Sequence, residues 1–302
     1  MGTQKPINIL ELQHRFNTEE ACHEHLYKMR WPRGFQCPKC GHGRSYEITT
    51  RKLPLYECCQ CKHQTTVLVG TIFEKTRTDL RKWFWAIFLA AHDKRGISAR
   101  LIADELEVCY ATAWTMLHKI RKAMEKRDAF YQLGGIVELD DSFFGGPTAG
   151  SKRGRGTEKS KVLVGLSLDD RGRPLHLKME VISNLKGETI FDFAERNLEL
   201  GASITSDLYC SYRALAQQYN HHPKEFNPIE NPDHLKWLHM VVSNAKTFIN
   251  GTYHGLGAKH LTAYLAEYCY RFNRRIFKGQ LFNRLINCCL NTRVVTYPEL
   301  IR

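Results

Sequence analysis

The sequence predicts an α/β protein in two parts, a cysteine-bearing helical first half and a second half in which a mixed sheet is flanked by helices. Three observations carry that expectation. Two Cys-x-x-Cys pairs fall between Cys37 and Cys61, apolar residues at helical spacing run from Thr78 to Arg121, and β-prone alternation replaces them after Gly134-Gly135. The 302 residues suffice for two or three folded units. Lys and Arg number 44 against 31 Asp and Glu, a formal net charge of +13. Such an excess points to a polyanionic partner, nucleic acid before an anionic membrane surface. With 43% hydrophobic and 11% aromatic residues, a wholly disordered chain is excluded. The longest apolar run, Trp83 to Ala91, is too short to span a bilayer, and no signal-like segment opens the sequence. A cytoplasmic setting with reduced thiols is therefore expected, and some of the 11 cysteines are better read as metal ligands than as disulfides.

Residues 1–32 form the first expected segment, with a helix from Ile7 to about Trp31 and with Asn17 and Glu20 spaced like a capping box. Residues 33–70 form the second. Cys37 and Cys40 are separated from Cys58 and Cys61 by seventeen residues, and Ser45 to Tyr56 between them has the composition of a hairpin. Two such turns aim four thiolates at one point, the pattern of a zinc ribbon. A four-thiolate site leaves no open position for chemistry, so this zinc would be structural; Cys59 is the spare thiol.

Residues 71–130 follow. Thr78 to Asp93 is an apolar helix expected to be core. Ser98 to Leu106, a break at Glu107-Val108-Cys109, and Tyr110 to Arg121 read as a helix-turn-helix, whose second helix would lie in a major groove. Trp114, Lys119 and Arg121 on that helix are its candidate DNA contacts.

Residues 131–302 make the last segment. Ile136 to Asp141, Lys161 to Asp169 and Leu175 to Ile182 read as three antiparallel strands, Gly187 to Leu200 as a helix, and Ala202 to Ser206 as a fourth strand closed by Asp207. Helices are expected over Tyr212–Tyr219, about Asp233–Asn250 and Ala258–Phe272, with a strand or loop between the first two. That order is the order of an RNase H-like fold. The loop Ser151-Lys152-Arg153-Gly154-Arg155-Gly156 is basic and glycine-rich, which makes Lys152, Arg153 and Arg155 candidate phosphate contacts. Cleaving or joining phosphodiesters uses two Mg²⁺ about 3.5–4 Å apart. Such hard cations take carboxylate oxygens from neighbouring strands. Asp140 and Asp207 would meet at the centre of this sheet, and Glu138 would share the face of Asp140.

These residues resemble the DDE transposases of bacterial insertion sequences, in particular the ISXO-like (insertion sequence 1595) group with an N-terminal zinc ribbon. The resemblance rests on the four cysteines, Val137-Glu138-Leu139-Asp140-Asp141 with Gly145-Gly146, and Thr205-Ser206-Asp207 with Tyr212. It rests also on Lys246 with Asn250-Gly251-Thr252-Tyr253-His254, and on Tyr270-Arg271-Phe272-Asn273-Arg274-Arg275. It implies metal-dependent cleavage at the element's terminal repeats and strand transfer into target DNA, with Asp140 and Asp207 as ligands of Mg²⁺ or Mn²⁺ and a multimeric active complex.

The third acid departs from the pattern. Many members carry a Glu seven residues before a Lys, and seven residues before Lys246 stands His239. Seven steps of about 100° come within about 20° of two turns, so the two side chains share a face. Asn244 lies about 140° round the helix from His239 and is the weaker alternative. Imidazole suits Mn²⁺ better than Mg²⁺. Two other readings stay open from the sequence: a catalytically silent DNA-binding descendant, with His239 marking the lost acid, and a nuclease that cuts without joining.

Overall fold

The computed structural model describes residues 7–146, 154–227 and 229–301. Its elements fall into two compact units, Met1–Met124 with Phe277–Arg302, and Glu125–Ile276. None of the described helices is long and apolar enough to cross a membrane.

The first unit opens with α1 (Ile9–Arg15) and α2 (Glu19–Arg30). The single helix expected from Ile7 to Trp31 is thus broken, and its expected cap at Asn17 is corrected to Thr18. The Thr18 hydroxyl accepts from the Ala21 amide at 3.1 Å, satisfying a donor that has no intrahelical partner. Phe16, at the break, is buried and packs on Phe84 and Phe282, with ring centroids 4.7 and 5.9 Å away. Strands β1 (Ser45–Ile48), β2 (Leu55–Cys58) and β3 (Gln64–Thr65) form an antiparallel sheet in that order. Helix α3 (Leu80–His92) starts at Asp79, and its Leu80 amide donates to the Glu19 carboxylate of α2 at 3.0 Å. Helices α4 (Ala99–Glu105) and α5 (Tyr110–Asp128) follow, joined through Glu107 in the left-handed region (φ 48°).

In the second unit, β4 (Ile136–Phe144), β5 (Ser160–Leu168), β6 (Pro174–Ile182), β7 (Ser203–Ser206) and β8 (Asn220–Pro223) make a sheet in the order β6-β5-β4-β7-β8. The pairs β6–β5 and β5–β4 are antiparallel, whereas β4–β7 and β7–β8 are parallel. Helix α6 (Gly187–Asn197) and the 3-10 segment Cys210–Gln217 cover one face with Val137, Leu139, Phe193 and Tyr212 in a shared core. A Cβ at Gly165 would lie 3.0 Å from Leu133 Cδ1 and 3.7 Å from Phe193, so a larger residue there would push on Leu133. Helices α7 (Lys236–Thr252) and α8 (Leu261–Asn273) cover the other face, packing on Phe144, Val162 and Val164. This is the mixed sheet of an RNase H-like fold, as the element order predicts. It differs from the expectation at Tyr212, where the expected helix is a 3-10 segment; the strand or loop expected after it is the strand β8, which closes the edge.

Asn273 ties this unit together. Its amide accepts from Leu177 N at 2.7 Å and donates to Leu177 O, Asp128 Oδ2 and the Tyr131 hydroxyl at 3.0, 3.1 and 3.2 Å. Arg274 pairs with Asp128 at 2.7 Å, and Arg275 donates to the carbonyls of Leu175 and Phe272. These arginines hold the fold.

Helix α9 (Leu281–Leu290) belongs to the first unit, although the sequence reading carried the last segment on to residue 302. Phe282, 1% exposed, meets the rings of Phe16, Phe84 and Phe88. Phe282, Leu285, Ile286 and Cys289 make a buried stripe at helical spacing. A stripe shows that a helix needs a partner without saying which. Phe282→Ala should destabilise the first unit by about 3–5 kcal/mol. Tryptophan fluorescence in a urea titration reads it, because Trp31, Trp83, Trp85 and Trp114 lie in that unit and Trp237 in the other. An unchanged transition would remove α9 from this core.

Candidate active site and zinc ribbon

The two Cys-x-x-Cys turns are near copies. Cys37 N donates to His42 O and Gly41 N to Cys37 O; Cys58 N donates to His63 O and Lys62 N to Cys58 O. Both turns need a residue in the left-handed region, Gly41 (φ 76°) in one and Lys62 (φ 57°) in the other. The Sγ atoms of Cys37 and Cys61, and those of Cys40 and Cys58, are 3.6 Å apart. A tetrahedral zinc with bonds of about 2.3 Å would set them about 3.8 Å apart, so the four thiolates fit that ion. Burial opposes ionisation of Cys37, but the amides of Cys40 and Lys39 outweigh it and bring the thiol down to about 7. Among the described residues these four cysteines are the one group of three or more ligand-type side chains whose ligand atoms all lie within 4.8 Å of one another. Cys59 stands outside it, as its offset spacing predicts.

Strand β4 alternates strictly, and its two faces carry different chemistry. Glu138, Asp140, Ser142 and Phe144 point towards α7; Val137, Leu139, Asp141 and Phe143 point towards α6. On the α7 face, His239 Nε2 lies 3.4 Å from Asp140 Oδ2. The hydrogen bond to Asp140 holds the imidazole pKa above its ordinary value, against the effect of burial. Lys246, two turns on, sits over the Phe144 ring at 5.6 Å, and burial lowers its pKa, with Lys159 adding to the effect. Helix α7 therefore runs alongside β4 in three rungs, Glu138–Leu238, Asp140–His239 and Phe144–Lys246. Asn244 is exposed and makes no hydrogen bond to either candidate carboxylate. The structure brings His239 to Asp140, and Asn244 does not join them.

The rung at Glu138 fixes the helix. Helix α7 has no side-chain cap of its own, and its N-cap residue, Leu235, is held in the left-handed region (φ 51°, ψ 24°). The capping acceptor comes from the sheet: Leu238 N donates to Glu138 Oε2 at 2.9 Å. Burial pushes the Glu138 carboxyl above its ordinary pKa, and the Leu238 amide pulls it back.

Asp207 stands one residue past β7, the parallel neighbour of β4, and its Oδ1 accepts from Tyr209 N at 3.0 Å. Its other oxygen accepts from Arg155 Nη2 at 2.6 Å, and the same nitrogen donates to Asp141 Oδ1 at 2.8 Å. Arg155 is therefore at the acidic centre itself. The sequence carried a signal for this that the reading did not use. Asp141 is the one charge between Val137, Leu139 and Phe143 on a buried face, and a buried carboxylate needs a cationic partner.

The remaining expected DNA contacts fare differently. Lys152 and Arg153 lie outside the described residues. On α5 the side chains at 113, 116, 117, 120, 123 and 124 are buried, and Arg121, four residues after Leu117, falls on that stripe at 2% exposure. Lys119 donates to the Ile72 carbonyl at 3.2 Å, and burial lowers its pKa. Trp114 stacks on His118 with ring centroids 4.0 Å apart. The expected DNA-facing Lys119 and Arg121 are thus turned into the protein, and the exposed part of α5 near its start is Tyr110-Ala111.

A mixed sheet bearing Asp140 at its centre and Asp207 on the next parallel strand, in a chain that also folds a zinc ribbon, defines an RNase H-like protein with a separate four-cysteine module. Residues 132–273 match the ISXO2-like transposase domain and residues 17–64 the transposase zinc-ribbon domain. The chain therefore carries an ISXO2-like transposase domain and a transposase zinc ribbon. A protein in transposable element ISH50 of Halobacterium salinarum, itself uncharacterized, is 29% identical over 175 residues, covering 52% of this chain and 56% of that one. The chain thus spans little more than half the length of this curated relative. Among solved structures, the Mos1 strand transfer complex matches at 10% identity and a TM-score of 0.22, covering 70% of this chain and 78% of that one. A pre-cleavage Mos1 transpososome matches at 11% and 0.24 over the same shares.

Two outcomes follow from this geometry. Glu138→Ala should cost about 1–2 kcal/mol in urea unfolding, and Glu138→Gln, which keeps an acceptor for Leu238 N, should cost less. Equal losses would mean that the carboxylate acts by charge rather than as a cap. Cys40→Ser should lower zinc content, measured by metal analysis of purified protein, and lower the melting temperature of the first unit. Cys59→Ser should leave both unchanged.

Proposed function

We propose that the chain is a DNA transposase of an insertion sequence, which binds the element's terminal repeats, cuts phosphodiesters there and joins the freed 3′ ends to target DNA. The observation that carries this reading is the approach of His239 to Asp140, on a strand whose parallel neighbour ends one residue before Asp207, inside the segment that matches the transposase domain. Asp140, Asp207 and His239 are the proposed ligands of Mg²⁺ or Mn²⁺. Two ligand atoms at neighbouring positions around such an ion are about 3 Å apart, and the Asp140–His239 pair fits that spacing. When bound, the divalent cations activate the attacking oxygen and stabilise the leaving one. The protein's own share is placement. The strand register fixes Asp140 against the end of β7, Glu138 fixes the helix that presents His239, and Lys246 offers a cation to DNA phosphate near the scissile bond.

The zinc ribbon and the α4–turn–α5 pair are the proposed end-recognition parts, with the exposed start of α5 towards the DNA, as recognition helices present their first residues. Processing two ends together calls for a multimer, and the partner throughout is double-stranded DNA, which the +13 charge suits.

The test is nicking and strand transfer on DNA carrying the element's own ends, with Mg²⁺ or Mn²⁺. Asp140→Ala and Asp207→Ala should abolish both steps, and His239→Ala should slow them by about 100-fold or more, the scale of losing a group in direct contact with the reaction. Mn²⁺ should support faster cutting than Mg²⁺; equal or faster rates in Mg²⁺ count against His239 as a ligand. A wild-type protein that binds the ends and never cuts would be a DNA-binding descendant, and one that cuts without joining would be a nuclease.

A further inference from the structure

Asp141 stands beside Asp140, and both are acids at the end of the same strand segment, yet the pleat sends them to opposite faces. The Asp141 side chain is 3% exposed. It sits with Val137, Leu139 and Phe143 above α6, where an unpaired carboxylate would be costly. Three donors meet it at one oxygen: Arg155 Nη2 at 2.8 Å, Arg155 Nε at 3.1 Å and the Tyr212 hydroxyl at 3.3 Å. The guanidinium lies over the Tyr209 ring, 3.9 Å from its centroid. From that seat its Nη2 reaches Asp207 Oδ2 at 2.6 Å. Asp207 itself is one residue beyond its strand and 32% exposed, and the backbone N–H of Tyr209 is its other hydrogen-bond partner.

We propose that Asp141 and Arg155 are a positioning pair for Asp207: the buried carboxylate anchors the guanidinium, and the guanidinium holds Asp207 in place against β4. Asp141 thereby serves the reaction through Arg155 and is not itself a metal ligand. The inference rests on the proposed role of Asp207 as a ligand. It reassigns Arg155 from general phosphate contact in a basic loop to organiser of the acidic centre. The planar fork matters here, since one side chain must satisfy two carboxylates and stack on a ring together, which a lysine ammonium does less well.

The experiment is Mn²⁺ binding to the full-length protein, followed by the electron paramagnetic resonance signal of free Mn²⁺, with nicking rate and melting temperature measured on the same samples. The variants are Asp141→Asn, Arg155→Gln, Arg155→Lys, the Asp141→Asn/Arg155→Gln double and Asp207→Asn. Expected are losses of about 10–100-fold in Mn²⁺ affinity for Asp141→Asn and for Arg155→Gln, the range for groups that orient a metal ligand. The number of ions bound should be unchanged in both, the double should be no weaker than the worse single, and Arg155→Lys should recover only part of the loss. Asp207→Asn should lose an ion. Loss of an ion in Asp141→Asn, multiplication of the two effects, full recovery in Arg155→Lys, or unchanged or tighter Mn²⁺ binding would each overturn the proposal. If Asp141→Asn does not fold, Arg155→Gln, whose side chain is 38% exposed, carries the test alone by the same criterion. A wild type that binds Mn²⁺ with these dependences yet never nicks DNA would leave the positioning pair standing and defeat the transposase reading instead.

Discussion

The rest of the candidate site depends on one of the hydrogen bonds between α7 and β4, from Leu238 N to Glu138 Oε2. The first amides of a helix lack intrahelical partners, and a helix usually supplies its own acceptor from the residue before it. Here that residue is Leu235, which offers none and adopts a left-handed backbone. The sheet supplies the acceptor, so the start of α7 is set by the strand that carries Asp140 two residues further on. His239 is the next residue after Leu238, and its half-exposed side chain lies 3.4 Å from Asp140. Lys246 follows on the same face two turns later by helix geometry alone. A left-handed leucine costs about 1–2 kcal/mol in backbone strain. The Glu138 cap and burial of Leu235 and Leu238 in the core under α7 offset it.

The strict alternation of β4 then divides the acids between two environments. Towards α7, Asp140 faces a histidine and, past it, open solvent. Towards α6, Asp141 is enclosed, and only a cation brought in from the loop after β4 makes its charge tolerable. One strand thus supports a partly accessible carboxylate and a neutralised one side by side. The difference lies in the pleat rather than in residue type.

The sequence made much of this legible and for identifiable reasons. The zinc ribbon followed from cysteine spacing because four ligands of one ion must lie at fixed offsets. Three of the antiparallel strands and the strand ending at Asp207 followed from alternation because half-buried strands repeat every two residues. The face shared by His239 and Lys246 followed from helix geometry. Tertiary partnership was less legible. Nothing local says that α9 packs on Phe16 and Phe84 in the first unit, since an apolar stripe is compatible with any complementary surface. Arg121 read as a surface arginine on a recognition helix, yet it shares the stripe of Leu117 and Met124 and is buried. Nothing local says that Arg274 and Arg275 hold the fold, because their partners, Asp128 and the Leu175 carbonyl, lie 146 and 100 residues away in sequence. Asp141 was legible in principle: alternation places it on the buried face, and burial of a carboxylate demands a partner.

The charge balance of the proposed site is compatible with a histidine at the place where the family resemblance implies an acid. Arg155 offsets one charge of the Asp141–Asp207 pair that it bridges, and the carboxylates of the proposed ligand set are Asp140 and Asp207. With an acid in place of His239 the proposed ligand set would carry three negative charges, and with the imidazole it carries two. Fewer fixed negative charges repel DNA phosphate less and hold divalent cations less tightly. Such a site would lean more on the oxygens of the DNA itself to complete the shell of each ion, which makes ion binding and end binding mutually reinforcing. The same trade fits a chain whose overall charge already draws the polyanion in: what attracts DNA is the surface, and what the acidic centre must do is avoid pushing it away.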